Sequence, residues 1–248
     1  MAEVQFLADP IVTEMKLIAS RLNAIPVADA PDGQEQIYRD LNGTARLYIL
    51  SPMAKVSDGD SFVNVPASAF AAGILGAINF WDSPSNRIIE GIVGTSRAIS
   101  FALDDPASEG QRLNSFQVAT IVRISGFRLW GARGTGDQTD LKTNQIQKIR
   151  ISDAIKEALI LSHLWAIARN LNKTYFESVT ASVNKFLGDL QLQGAIAGGE
   201  CFANDEANTP ESLFDGKAYF TYRYTPSPVS ETLTFEEIIT DSYLKNLA

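Results

Sequence analysis

The chain has 248 residues, and its 21 Lys and Arg against 29 Asp and Glu leave a net charge of −8. Apolar residues make up 45% and charged residues 20%, which excludes a disordered, collagenous or coiled-coil chain. The acid excess opposes non-specific binding to nucleic acid; the single cysteine, Cys201, excludes a disulfide framework and Cys-rich zinc sites, and the single histidine, His163, excludes a metal site built on two imidazoles.

Asp9-Pro10 reads as an N-cap with proline at the first helical position. Val12, Met15, Ile18, Ala19 and Leu22 follow at helical spacing and predict a helix over 10–23. A short strand over 24–28, a Pro31-Asp32-Gly33 turn, a helix over 34–41 and a strand over 47–50 come next. That alternation builds parallel strands with helices on their faces. Ser57 to Asp60 reads as a polar loop, and Pro66 opens a helix of mostly small residues. Residues 87–106 read as short strands or extended loop. Val118–Ile124 and Phe127–Trp130, joined by Ser125-Gly126, predict a hairpin.

Gly131 to Asn144 reads as a loop, open to motion, and Ile146–Ile151 as a strand. Asp153–Leu171 predicts a helix apolar over most of its girth and therefore buried on two sides. Thr174-x-x-Glu177 has the form of a capping box. It would open a helix with Phe176, Val179, Val183, Phe186, Leu187 and Leu190 in one stripe, packed antiparallel to its predecessor and ended by Gly194. A strand over 195–203, a helical turn over 209–214 and a strand over 217–224 follow. After Pro226-Ser227-Pro228 the segment 231–248 reads as a further strand and a last short helix. A strand set off by prolines can add to the sheet of a neighbouring molecule.

Residues 1–124 carry 9 basic and 14 acidic side chains, 125–199 carry 9 and 6, and 200–248 carry 3 and 9. The mildly basic middle is a candidate face for an acidic partner. The opening Met1-Ala2-Glu3-Val4 has no targeting pattern, and the greasiest run, 158–168, is about half a membrane span. Synthesis in a reducing cytoplasm is the expectation.

No catalytic constellation survives its context. Gly94-Thr95-Ser96-Arg97-Ala98 lacks the second glycine of a nucleophile elbow. Gly131 to Gly136 is glycine-rich but lacks the lysine and helix of a phosphate loop, and reads as flexible. The pairs Asp58/Asp60 and Asp104/Asp105 do not fit a calcium loop. His163 reads as a hydrogen-bonded helix residue, Cys201 as a small core hydrophobe, and Trp81, Trp130 and Trp165 as core anchors.

A series of phrases resembles the contractile tail sheath proteins of myophages and R-type pyocins. They are WDSPSN (81–86), IEGIVGTSR (89–97), Leu113-Asn114, VATI (118–121) and GFRLWG (126–131), then Leu164-Trp165-Ala166, Lys173-Thr174-Tyr175, Gly194-Ala195-Ile196 and Asp215-Gly216-Lys217. They occur in the family's order and cover nearly all of the chain from about residue 9. The resemblance implies a non-enzymatic structural subunit with no catalytic, cofactor or metal residues. Such subunits polymerise around an inner tube and contract to drive it through a cell envelope, as part of a virion tail assembled in the host cytoplasm. The implied partners are other sheath subunits, joined by strand exchange, the inner tail tube protein and the baseplate, with no nucleic acid and no membrane.

The implied fold is α/β (α+β), with mixed sheets flanked by helices. It would divide into a partial outer or middle domain (1–106) and a conserved C-terminal sheath domain (107–248) ending in an arm at about 229–248. Leu233, Phe235 and Ile238 are the candidate arm contacts, and Lys173 and Lys185 the candidate tube-facing residues. Family members are longer at the N-terminus, so the chain is expected to be a truncated subunit and, with one arm missing, a monomer. It departs from the family's usual Arg-Thr after the WG dipeptide, reading Ala132-Arg133-Gly134, and from its paired arginines, reading Ile149-Arg150-Ile151. A small hydrolase-like α/β enzyme, with its pocket at His163 or the 131–136 loop, is the alternative. A free-standing module that lends its C-terminal strand to an unrelated partner is a third reading.

Overall fold

The computed structural model describes residues 8–242. Asp9 caps helix α1 (Pro10–Leu22) by accepting from the Ile11 and Val12 amides at 2.9 and 3.4 Å. Strand β1 (Val27–Asp29), helix α2 (Glu35–Asn42) and strand β2 (Tyr48–Leu50) follow as the spacing predicts. β1 and β2 are parallel, and β2 runs parallel to β6 (Val118–Arg123), which turns back into antiparallel β7 (Phe127–Trp130). The mixed α/β class is therefore as expected. This sheet, in the order β1-β2-β6-β7, draws strands from both sides of residues 106/107, so hydrogen bonds cross the expected domain boundary.

Alternation along the strands gives the sheet two buried faces. Tyr48, Leu50, Ala119, Ile121 and Leu129 meet Ala67, Ala71 and Leu75 of helix α3 (Ala67–Ala77). Ala28, Ile49 and Val118 meet Val12 of α1, Tyr38 of α2 and Leu113 of helix α4 (Glu109–Ser115). Of the predicted α1 stripe only Val12 and Ala19 are buried, while Ile18 and Leu22 are exposed. These two buried residues lie seven apart, so α1 meets the body along a single line two turns long.

The loop expected at 57–60 is the tip of a hairpin. β3 (Ala54–Asp58) and β4 (Ser61–Val65) pair across Gly59, whose φ of +59° suits the turn, and β5 (Gly94–Thr95) completes this second sheet. Elsewhere the stretch 87–106 is irregular. α4 has no counterpart among the elements expected from the sequence.

The larger correction concerns 146–171. The expected strand Ile146–Ile151 is the start of helix α5 (Ile146–Ser162). Ile146, Ile149, Ile151 and Ile155 are all buried, so packing overrides the β preference of branched side chains. The expected helix to Leu171 stops at Ser162, a single 3₁₀ turn covers Leu164–Ala166, and Ala168 adopts φ +60°. Burial on two sides does not hold either, because Ile160, Leu161 and Leu164 face outward. Helix α6 (Lys173–Leu192) is capped not by Thr174 but by Asn172, whose Oδ1 accepts from the Tyr175 amide at 2.8 Å. Asn172 is extended, so the helix begins one residue before the expected box.

α6 lies chiefly on β8 rather than on α5. β8 (Ile196–Ala203) pairs antiparallel with β9 (Phe220–Pro226), and helix α7 (Pro210–Phe214) sits in the connection. Val179, Val183, Leu187 and Leu190 of α6, Ile151 and Ile155 of α5, Ile196 and Cys201 form a third core, backed by Phe220, Tyr222 and Tyr224. From Tyr222 onward β9 alternates, with Arg223 and Thr225 exposed. Arg150 joins this core to the first sheet by donating to three carbonyls at the end of α3: Leu75 at 2.7 Å, Ile78 at 3.4 Å and Asn79 at 3.3 Å.

Candidate assembly surface

The expected arm strand at 231–239 forms no β pairing: residues 227–240 have no regular structure. The last short helix expected for the tail falls at the chain end, where 243–248 lie outside the described residues. The tail leaves the body in two steps. The Ser227 amide donates to the Ala195 carbonyl at 3.1 Å, and Gln147 Nε2 donates to the Ser227 carbonyl at 3.0 Å. Four residues later, Glu231 meets the Arg133 guanidinium at 2.5–3.1 Å. Beyond that point Leu233, Phe235, Ile238 and Ile239 are 74, 84, 75 and 91% exposed. Four large apolar side chains in seven residues is an unusual density for solvent-facing chain.

Two features of the body lie near the tail's exit. Among the described residues, neither outer edge of the β8–β9 pair is occupied, and an unpaired edge is a template for another strand. Beside β9 runs a groove of about 710 Å³, lined by Ile149, Ser152 and Lys156 of α5, by Tyr222 to Pro226 and by Pro228, together with the basic side chains of Arg46, Lys142 and Lys148. The tail carries Glu231, Glu236, Glu237 and Asp241, so groove and tail are opposite in charge.

The two candidate tube-facing lysines are not brought together. Lys173 opens α6, and its ammonium lies 3.8 Å from Glu177. Lys185 is exposed on the same helix, but twelve residues on, which places it about 18 Å along the axis and about 120° around it.

Gly131 to Gly136 is a loop, but a tightly held one. A Cβ on Gly134 would lie 2.4 Å from the Ala45 carbonyl oxygen, and one on Gly136 would lie 2.5 Å from the Ala45 Cα. Thr135 pins the loop, its hydroxyl accepting from the Thr44 amide at 2.9 Å. The glycines admit a neighbouring backbone and form no anion cradle. His163 sits at the end of α5, with Nδ1 2.9 Å from both the Leu159 carbonyl and the Ser162 hydroxyl. It borders an open, largely apolar depression of about 810 Å³ that Cys201 also lines. Burial pushes the Cys201 thiol up, which disfavours the nucleophilic thiolate. No group of three or more His, Cys, Asp or Glu among the described residues could hold a metal ion, and no described helix is long and apolar enough to cross a membrane.

Sequence comparison matches residues 138–240 to the family described as the phage tail sheath C-terminal domain. Residues 138–240 are a phage tail sheath C-terminal domain. The matched residues take in α5 to β9, all of the groove lining except Ala45 and Arg46, and nearly all of the described tail. The chain is 35% identical over 243 residues to a prophage major tail sheath protein of Pseudomonas aeruginosa, covering 94% of this chain and 62% of the relative. It is 30% identical to the tail sheath protein of Burkholderia phage BcepMu, covering 96% of this chain and 54% of that one. Across the curated relatives it matches, the chain spans 41–62% of their lengths.

Solved structures share the fold. A chain of the anti-feeding prophage baseplate superposes with a TM-score of 0.71 at 19% identity, over 87% of this chain and 60% of that one. A chain of the PVC extracellular contractile injection system sheath in its contracted state gives 0.71 at 18% identity, over 87% and 64%.

The Arg133–Glu231 pair that fixes the tail is invisible to sequence reasoning, because the partners lie 98 residues apart. The Asp58-Gly59 turn between alternating apolar residues is a usable signal for the β3–β4 hairpin.

Proposed function

We propose that this chain acts by assembly, as a subunit of a contractile tail sheath that surrounds an inner tube and contracts to drive it through a cell envelope. The observation that carries the reading is the tail beyond Glu231, with four exposed apolar side chains and an acidic charge, next to a basic groove and an unpaired strand edge. A tail that serves a neighbour's sheet must leave its own body uncovered, and Leu233, Phe235 and Ile238 are the residues we assign to that contact. Lys173 and Lys185 are proposed as separate points of contact with the tube. The baseplate is a further partner and the virion tail the working location. In this reading, stored packing energy and rigid-body movement of subunits do the work, and no substrate is turned over. The sheath domain forms the inner, linking part of the subunit, and the β1-β2-β6-β7 sheet with its helices a second part.

Full-length protein, viewed by negative-stain microscopy, is expected to form tubes or rings. Dispersed particles under all assembly conditions would overturn the proposal. The 248-residue polypeptide is expected to run as a monomer in size-exclusion chromatography with light scattering.

A further inference from the structure

We infer that Arg133 and Glu231 form a clasp that sets where the folded body ends and the C-terminal tail begins. Arg133 Nε donates to both Glu231 carboxylate oxygens at 3.1 Å, and one of its terminal nitrogens reaches Oε2 at 2.5 Å. The other terminal nitrogen donates to Gln138 Oε1 at 2.9 Å, which fixes the plane of the guanidinium. Planar two-point pairing of this kind defines direction as well as distance.

Glu231 also sits against the start of α5. Burial works to raise the Glu231 carboxyl, but Arg133, the side chain of Gln145 (the N-cap residue of that helix) and the charge of Lys148 in its first turn hold it below its ordinary value. An anion at a helix N-terminus is favoured by the helix dipole. Arg133 and Gln145 are themselves bridged through their backbones. Three chain segments, the 131–144 loop, the start of α5 and the tail, therefore converge on one carboxylate.

The clasp is the last tie to the body among the described tail residues; later hydrogen bonds join tail residues to one another. With the clasp closed, the described tail beyond it is residues 232–242, about 36 Å when extended. With it open, the tail is held at Ser227 and gains about 13 Å of reach and a new exit direction. The clasp thus positions whatever the tail binds, and it does so within a single chain, so its test needs no partner.

The test uses a glutamate-specific protease on the folded 248-residue protein. Wild type is expected to be cut first after Glu236 and Glu237, with cutting after Glu231 lagging. Arg133→Ala should shorten that lag about five-fold, the effect of a partly exposed, multiply hydrogen-bonded ion pair. Hydrogen–deuterium exchange supplies a second measurement. Glu231→Gln should speed exchange at 228–233 about five-fold, and the reversed pair Arg133→Glu with Glu231→Arg should restore slow exchange. Equal cutting at all three glutamates in wild type would overturn the clasp, as would unchanged exchange in Glu231→Gln.

Discussion

Arg46 grips Asp153 with both terminal nitrogens, at 2.6 and 2.7 Å, across 107 residues of sequence. Arg46 precedes β2 and Asp153 lies in α5, so the pair joins the first sheet to the sheath domain. Asp153 is nearly buried. The hydrogen bond to Asp153 pushes the Arg46 guanidinium up against the opposing effect of burial. Removing Arg46 strands a carboxylate away from water. Arg46→Met is expected to cost about 2–3 kcal/mol in urea unfolding. Arg46→Met with Asp153→Leu should lose much less, and a double-mutant cycle reads the coupling directly.

The glycines of the 131–136 loop differ sharply from a helical one. Gly134→Ala or Gly136→Ala forces a methyl against the Ala45 backbone and should destabilise by about 1–3 kcal/mol. Gly188, inside α6, has open space where a Cβ would stand, with nothing within 4 Å, and no positive φ. Gly188→Ala should stabilise by about 0.5–1 kcal/mol through helix propensity alone. Thermal unfolding of the three variants separates close packing from loop mobility.

Acid sensitivity should centre on Glu35. Burial works to raise its carboxyl, but the Gly33 and Glu35 amides, the Ser51 hydroxyl and the Arg97 guanidinium together hold it below its ordinary value. Arg97 lies 2.7 Å from Glu35, pairs also with Glu109 and has Asp32 at 4.0 Å. Because the folded value is depressed, the stabilisation is complete above the unfolded carboxylate range. It is lost as pH falls through the folded value. Glu35→Gln should lower stability at pH 7 and flatten the acid limb of the stability–pH curve. An unchanged slope below about pH 5, where unfolded carboxylates begin to titrate, would remove Glu35 from the account.

Cys201 offers a clean reporter. It is the only thiol in the chain, it is buried, and its side chain belongs to the third core. Alkylation should be slow in the folded protein and rapid in urea, with the midpoint matching unfolding seen by tryptophan fluorescence.

The tail should contribute nothing to folding. Phe235→Asp and Ile239→Asp are each expected to leave the melting temperature within about 1 °C, since both side chains are exposed. The same changes in full-length protein should abolish tube formation, read by negative-stain microscopy.

The residues explain what can be read in advance. Tyr48/Leu50 against Leu47/Ile49 announces a sheet buried on both faces, and the Val179–Leu190 stripe announces α6. Ile146, Ile149 and Ile151 mislead because a short branched apolar run fits a strand and a fully packed helix start equally well. Asn172 is overshadowed by a capping-box pattern two residues later. The tail's composition reads as strand-forming, whereas 227–240 has no regular structure, and its tether depends on Arg133, which no local pattern connects to it. Lys173 and Lys185 are legible as exposed cations; their separation around α6 needs the helix phase.

Arg150 has a mechanical consequence. Its guanidinium closes the end of α3 from within α5, so the two helices cannot slide past one another without stripping three carbonyls at once. A pull on α5 is therefore passed to the first sheet at two points, through Arg150 on α3 and through the Asp153–Arg46 pair beside β2.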